Sequence, residues 1–469
     1  MIKFGTSGFR GIIAQDFTKE NVQRIAYAVA ETMRTDDVVP IGYDNRFMGK
    51  QFAEWFAEIL TACGKKVKLF TKPVPSPLIA FETKNKEFGF IITASHNPYY
   101  YSGIKAFQRG GRELTKQQNE QLAKIANKVK DKKLKTMPLN EAENRGLLAY
   151  SDDIKPYCES VISQLDGIRI KAAQITGVFD AMNGSSVECT KYIAKSLGIV
   201  LQFLRANVDA NFGFSLPAPY EKNLEGTAKL MKKSKDATFG FAFDGDGDRA
   251  SFIDENGEFY DCNYIAAVVY DYILTDRPCD FVKNCAMTSL IDKIADVNNR
   301  KVFLAEVGFK NTAEQMLKNE NAGIGAESNG MAFKDNILFK DGIFLAFFVA
   351  EILAKSKTTL GNLIEKTKKK YNFPCEVVEY AYPFDEKQRE YIEKIVFKNK
   401  ILPETGLKVE SVSYADGLKI TYEGGYWGVI RFSGNENVIR LFAEMPTRKQ
   451  AEEVIAAYED LIGLTERQV

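Results

Sequence analysis

The hexapeptide Thr93-Ala94-Ser95-His96-Asn97-Pro98 holds the residues best placed for chemistry. The apolar run Phe88 to Ile92 reads as a buried strand, and Pro98 and Gly103 mark a loop behind it. Ser95 therefore falls at the carboxyl end of a strand, where α/β proteins bind their ligands. Beside it stands His96, the single histidine in 469 residues. Imidazole titrates near neutral pH and suits proton transfer.

A second cluster is Asp244-Gly245-Asp246-Gly247-Asp248-Arg249, after the strand-like run Ala237 to Phe243. Three carboxylates at alternating positions in a glycine-rich turn can converge on one hard cation through oxygen ligands. An EF-hand loop is the competing pattern, and Glu255 even falls at its twelfth position. Arg249 stands where that loop requires glycine, however, and both flanks read as strands rather than helices. A plain polar turn is the remaining alternative. Three ligands from one loop leave open positions, which Mg²⁺ keeps for water or phosphate oxygens. A phosphoryl group on Ser95 would fill such a position.

Two further segments carry the makings of a phosphate cradle. Arg431-Phe432-Ser433-Gly434-Asn435-Glu436-Asn437 puts an arginine, a hydroxyl and backbone N–H groups between two strands. Phe4-Gly5-Thr6-Ser7-Gly8-Phe9-Arg10-Gly11 offers the same ingredients near the start. Taken singly, the first is more often a plain hairpin turn, since Ser-Gly is a common turn pair, and the second reads as a flexible leader.

The elements that must hold these segments alternate. Phe17 to Met33 has a helical apolar period with Thr18 as a cap. Val38 to Tyr43 reads as a strand, Gln51 to Cys63 as a helix and Lys66 to Phe70 as a strand. The rhythm restarts at Gln174 to Asp180 with the helix Cys189 to Leu197, and again at Asp280 to Val282 and Val302 to Leu304 with helices Leu290 to Ile294 and Thr312 to Leu317. Spacing of this kind predicts an α/β protein of three αβα domains with mixed sheets. From about Phe373 the pattern changes to strands at Leu418 to Tyr422, Trp427 to Phe432 and Val438 to Met445, then a helix from Arg448 to Leu461. That is a smaller C-terminal α+β domain. The expected domains are residues 1–146, 147–255, 256–370 and 371–469.

Composition removes several function classes. Lys+Arg at 63 against Asp+Glu at 62 gives no field that would draw the chain to nucleic acid or a membrane surface. The clusters Lys128, Lys130, Lys132, Lys133, Lys135 and Lys366, Lys368 to Lys370 fall near helix ends and read as solvated faces. Seven scattered cysteines without a Cys-x-x-Cys, and one histidine, support neither a disulfide framework nor zinc. With no leader-like start and no run near the ~18 apolar residues of a span, a cytoplasmic protein is expected.

Taken together, the motifs resemble those of the α-D-phosphohexomutase superfamily, the phosphoglucomutase/phosphomannomutase group. The likeness covers the full length in motif order: Gly5 to Gly11, the phosphoserine loop Thr93 to Pro98, Gly103-Ile104-Lys105, the metal loop Asp244 to Arg249, Val307-Gly308-Phe309-Lys310, and the phosphate loop Arg431 to Asn437. It implies four domains around a central cleft, and Mg²⁺ held by Ser95, Asp244, Asp246 and Asp248. The catalytic residues implied are Ser95, Arg10, His96 and Lys105, with His96 or Lys105 as general base. Substrate would be bound by Arg249, Lys310, Glu327, Ser328, Arg431, Ser433, Gly434 and Asn435. The implied reaction passes phosphate between C1 and C6 of a hexose through phosphoserine and a hexose 1,6-bisphosphate, in a monomer or homodimer.

Two departures touch specificity. The resembled sugar loop reads Gly-Glu-x-Ser-Gly; here it is Gly325-Ala326-Glu327-Ser328-Asn329-Gly330, and counting from Lys340-Asp341-Gly342 puts Ala326 in the glutamate's place. In the phosphate loop, Asn435 and Asn437 replace threonine and proline. The Lys340-Asp341-Gly342 ending resembles glucose-directed members, so phosphoglucomutase is expected before phosphomannomutase and phosphoglucosamine mutase. A phosphohydrolase and a non-catalytic sugar-phosphate-binding scaffold are the rival classes.

Overall fold

A computed structural model describes residues 1–5, 7–129, 134–234, 236–433 and 438–464, in two compact units. The first comprises Met1–Asp261 with Asn329–Gly361, and the second Cys262–Ser328 with Asn362–Val469.

In the first unit the strand Val39–Tyr43 lies parallel to Val67–Phe70 on one side and to Phe88–Ile92 on the other. Tyr101–Gln108 then pairs antiparallel with Phe88–Ile92, and Phe9–Ile12 antiparallel with Tyr101–Gln108. This mixed sheet brings the segments around Arg10, Ser95 and Lys105 onto three adjacent strands. The central strands Val39–Tyr43 and Phe88–Ile92 are buried along their whole length, as expected of strands covered on both faces. Helix Lys19–Thr32 packs its Val22, Ile25 and Val29 into that core, and Thr18 caps it by accepting from the Asn21 N–H.

A second sheet in this unit runs in the order Phe259–Tyr260, Ala250–Ile253, Phe239–Phe243, Thr176–Asp180, Val200–Leu204. Phe239–Phe243 is parallel to Thr176–Asp180 and antiparallel to Ala250–Ile253, so the aspartate loop is the turn between two buried strands. Helix Gly342–Ser356 is buried on nearly every side. Its residues show no amphipathic period, so the helical pattern that revealed its neighbours is silent there.

In the second unit, Asp280–Lys283 lies parallel to both Val302–Leu304 and Ala322–Glu327, with helices Leu290–Val297 and Phe309–Lys318 on the connections. The C-terminal sheet is antiparallel in the order Glu376–Pro383, Val438–Met445, Trp427–Phe432, Leu418–Tyr422, Val409–Ser413, and helix Arg448–Ile462 covers it through Val454, Ile455 and Tyr458. Its two edge strands were not foreseen. Val409–Ser413 is exposed at every residue and Glu376–Pro383 is only partly covered, so neither shows a clean buried face.

Lys128 and Lys368 to Lys370 fall in last helical turns as expected, but Lys368 is buried and paired with Glu376 at 2.9 Å rather than solvated; Lys130, Lys132 and Lys133 lie outside the described residues. Among the described residues no helix is long and apolar enough to cross a membrane.

Candidate active site

Ser95 is 1% exposed and has a φ of +53°, in the left-handed region. A non-glycine residue keeps such a conformation only when its surroundings over-determine it. Here they do. The Ser95 N–H donates to Thr93 Oγ1 at 2.9 Å, and Thr93 Oγ1 donates to Asp44 Oδ2 at 2.6 Å. Arg46 donates to four carbonyl oxygens of the loop: Ser95 and Asn97 at 2.7 Å, Pro98 at 2.8 Å and Tyr101 at 3.0 Å. Its Nε bonds Asp44 Oδ2 at 3.2 Å, and both side chains are fully buried. Burial so outweighs the attraction of Arg46 and the Thr93 bond that the Asp44 carboxyl is pushed up to about 6. Neither Asp44 nor Arg46 was singled out from sequence. The available signal was an acid and an arginine two residues apart directly after a buried strand.

The aspartate loop meets this serine. Ser95 Oγ donates to Asp244 Oδ2 at 2.6 Å. A Cβ on Gly245 would lie 2.7 Å from the Ser95 carbonyl oxygen, so only glycine lets the two loops approach this closely. Asp244, Asp246 and Asp248 each present a carboxylate oxygen within 4.8 Å of the other two. Lys105, itself 1% exposed, bridges Asp246 Oδ2 at 2.6 Å and Asp248 Oδ2. Lys340 Nζ stands 3.7 Å from Asp248 Oδ1, and Arg249 Nε 3.9 Å from both Asp244 and Asp248. Ser76 anchors the loop from below, its N–H on the Asp246 carbonyl at 2.8 Å and its hydroxyl on the Asp246 carboxylate.

The charges respond to this crowding. Burial first, then Asp246 and Asp248, push the Asp244 carboxyl up to about 8. Asp248 is buried too, but Lys105, Lys340 and Arg249 hold it below the ordinary carboxylate range. Burial works to lower the Lys105 ammonium, and the three carboxylates overcome it and raise it instead.

The trio fits a divalent cation. Asp246 Oδ1 is buried with no hydrogen-bond partner among the described residues, and Asp248 Oδ1 meets Lys340 and Arg249 at 3.7 and 3.9 Å, beyond hydrogen-bond distance, so both oxygens are costly to bury unless a ligand takes them. All donors are hard oxygens, which suits Mg²⁺.

Of the other expected residues, Arg10 lies in the strand Phe9–Ile12 and its Nη1 donates to Asn97 Oδ1, tying it to the Ser95 loop. His96 Nδ1 is 3.4 Å from Ser95 Oγ. The structure thus brings together Ser95, Arg10, His96, Lys105, Asp244, Asp246, Asp248 and Arg249 within the first unit.

Lys310, Glu327, Ser328, Arg431 and Ser433 belong to the second. Lys310 is in the first turn of helix Phe309–Lys318. Ala326 is wholly buried within its strand, opposite Lys283, whereas Glu327 ends the strand and accepts the Gly308 N–H at 2.7 Å. The Ser328 carbonyl accepts from Cys262 N–H at 3.0 Å. Arg431 Nε donates to Asp416 Oδ1 at 2.7 Å beside a cavity of about 390 Å³ walled by Phe397 and Phe432. The Ser433 N–H donates to Val438 O at 2.9 Å. Gly434, Asn435 and Asn437 lie outside the described residues.

Comparison with known proteins agrees along the whole chain. Residues 1–133, 155–257 and 261–371 match the models for α/β/α domains I, II and III of phosphoglucomutase/phosphomannomutase, and 387–461 matches the C-terminal domain of the same family. A phosphoglucomutase/phosphomannomutase of Thermococcus kodakarensis is 32% identical, with 96% of each chain covered. A phosphoglucosamine mutase of Methanocaldococcus jannaschii is 28% identical over the same shares. Among solved structures, a phosphoglucomutase/phosphomannomutase family protein of Burkholderia thailandensis superposes with a TM-score of 0.81 at 21% identity, over 98% of each chain.

Fold and matched segments together define an intramolecular phosphotransferase, a phosphohexomutase. The chain belongs to the phosphoglucomutase/phosphomannomutase family of the α-D-phosphohexomutase superfamily.

Proposed function

We propose that this phosphohexomutase interconverts hexose 1- and 6-phosphates through a phosphoryl group carried on Ser95, with hexose 1,6-bisphosphate as intermediate and activator. The observation that carries the reading is the Ser95 hydroxyl donating to Asp244 at 2.6 Å, inside a buried carboxylate trio. Asp244, Asp246 and Asp248 would hold Mg²⁺, which when bound neutralises charge on the transferring phosphoryl oxygens.

The substrate's own phosphate is gripped by Arg431 and Ser433, with Asn435 as a further donor, and its hydroxyls by Glu327 and Ser328. The free hydroxyl attacks the phosphorus on Ser95: the new P–O bond to the sugar forms as the Ser95 Oγ–P bond breaks. The bisphosphate turns over, and its other phosphoryl group returns to Ser95. Arg10, Arg249 and Lys105 surround the Ser95 loop with positive charge, so positioning and electrostatics do most of the catalytic work. Lys310 contributes a further positive charge toward the sugar phosphate.

The attacking hydroxyl gives its proton to His96, or to Lys105 only once that side chain has released the proton the three carboxylates hold on it, and paired variants separate them. A largely intact rate in His96→Asn with a crippled Lys105→Met assigns transfer to Lys105, and the reverse pattern assigns it to His96.

Glucose and mannose phosphates are the favoured substrates, ahead of glucosamine phosphate, since the 32% identical relative is named for the first two. The test is turnover of glucose 1-phosphate, mannose 1-phosphate and glucosamine 1-phosphate with Mg²⁺ and a trace of the bisphosphate. Ser95-dependent turnover is expected. No turnover of any of the three, with Ser95 unphosphorylated, overturns the reading in favour of a sugar-phosphate-binding scaffold.

A further inference from the structure

Asp416 is an aspartate that no motif pointed to. It sits in the turn Tyr414-Ala415-Asp416-Gly417 ahead of the strand Leu418–Tyr422. Gly417 has a φ of +84°, and a Cβ there would lie 2.5 Å from the Ile430 carbonyl oxygen. The turn is thus pressed onto the strand Trp427–Phe432, which carries Asp416 to the side of Arg431.

Both oxygens of the Asp416 carboxylate are in use. Oδ1 accepts from Arg431 Nε at 2.7 Å, and Oδ2 accepts from the Val307 N–H at 2.6 Å. The next N–H along the chain, that of Gly308, donates to Glu327 Oε1 at 2.7 Å, and Asn284 Nδ2 approaches the same oxygen at 3.4 Å. Two carboxylates therefore hold successive N–H groups of one turn. One of them fixes the arginine proposed to grip phosphate; the other ends the strand that leads into the sugar loop. The turn opens directly into helix Phe309–Lys318, which bears Lys310.

Only a carboxylate does this work at position 416. Each of its oxygens faces a donor, so an amide would satisfy one and set its own N–H₂ against the other. Charge-assisted bonds of this kind are roughly twice as strong as neutral ones and fix geometry as well as energy.

We propose that Asp416 is a positioning residue that couples the two ends of substrate recognition: through the Val307–Gly308 turn it holds Arg431 and Glu327 in one register. Phosphate grip and sugar choice then change together. This rests on the functional reading above, in which Arg431 holds phosphate and Glu327 meets the sugar.

A double-mutant cycle on the full-length enzyme tests it, with Asp416→Asn, Glu327→Gln and the pair, and glucose 1-phosphate and glucosamine 1-phosphate as substrates. Asp416→Asn should raise KM about 10- to 100-fold, the loss of one charged hydrogen bond, while kcat stays within a few-fold. It should also shift the kcat/KM ratio between the two sugars, which a general loss of stability does not do. Glu327→Gln should matter far less in the Asp416→Asn background than alone. Asp416→Ala, which removes both bonds without setting an N–H₂ against a donor, replaces Asp416→Asn if circular dichroism shows the latter unfolded. Additive effects on KM with an unchanged sugar ratio overturn the coupling and leave the mutase reading standing. A wild-type enzyme that turns over neither of these sugars nor mannose 1-phosphate removes both.

Discussion

Two arginine–aspartate pairs in this molecule have the same chemistry and different surroundings. Arg46–Asp44 in the first unit is fully buried, whereas Arg431 and Asp416 in the second are each 18% exposed. Arg46 spends its donors on main-chain oxygens of its own protein, and Asp44 is desolvated enough to stand at about 6. Arg431 keeps access to water beside an open cavity. The contrast separates building a site from presenting one. A charge that holds a loop works best in a low-dielectric interior, and the phosphate grip proposed for Arg431 requires a charge that stays within reach of solvent.

The contrast can be broken at several points. Ser95→Ala should reduce turnover to background and abolish phosphate incorporation, read by mass spectrometry of the protein incubated with bisphosphate. Chelation should come next: EDTA should remove most activity, and Mg²⁺ should restore it in a kinetic titration. Arg46→Met leaves Asp44 and four carbonyls without their partner, and urea unfolding should show a loss of about 3–5 kcal/mol, together with a fall in kcat. At the exposed pair the effect should be milder and of another kind. Arg431→Lys keeps the charge but loses the fork, so KM should rise about tenfold with kcat little changed and urea stability within about 1 kcal/mol of wild type.

The smallest effect sharpens the picture of the second unit. Burial, then Lys283, lowers Lys419 from 10.5 to about 8, and its Nζ donates to the Cys285 carbonyl at 2.8 Å. The native state gives up this proton near pH 8 and the unfolded chain holds it to about 10.5, so this group adds stability as pH rises between those values. Relative to Lys419→Met, the wild-type urea midpoint should therefore rise between pH 7.5 and 9.5. A flat difference would show that Lys419 is solvated.

Much of this was legible in the sequence because the informative segments are local. Strands such as Phe88–Ile92 and Trp427–Phe432 were readable as short apolar runs, and the Asp244 loop as three acids in one turn. The residues that hold the site were not. Arg46 acts on oxygens 49 to 55 positions away in the chain, and Asp416 on a backbone N–H 109 positions away. A bond to main chain leaves no complementary side chain to look for. The buried helix Gly342–Ser356 and the exposed strand Val409–Ser413 escaped for opposite reasons, one apolar throughout and the other nowhere covered.

The grip of Arg46 has one more consequence. It reads carbonyl oxygens at Ser95, Asn97, Pro98 and Tyr101, and every amino acid supplies that oxygen. The hold of Arg46 is therefore indifferent to the side chains at 98 and 101, while position 46 tolerates no replacement that lacks a planar fork. Change in the side chains near Ser95 is insulated from the architecture that keeps the serine in place.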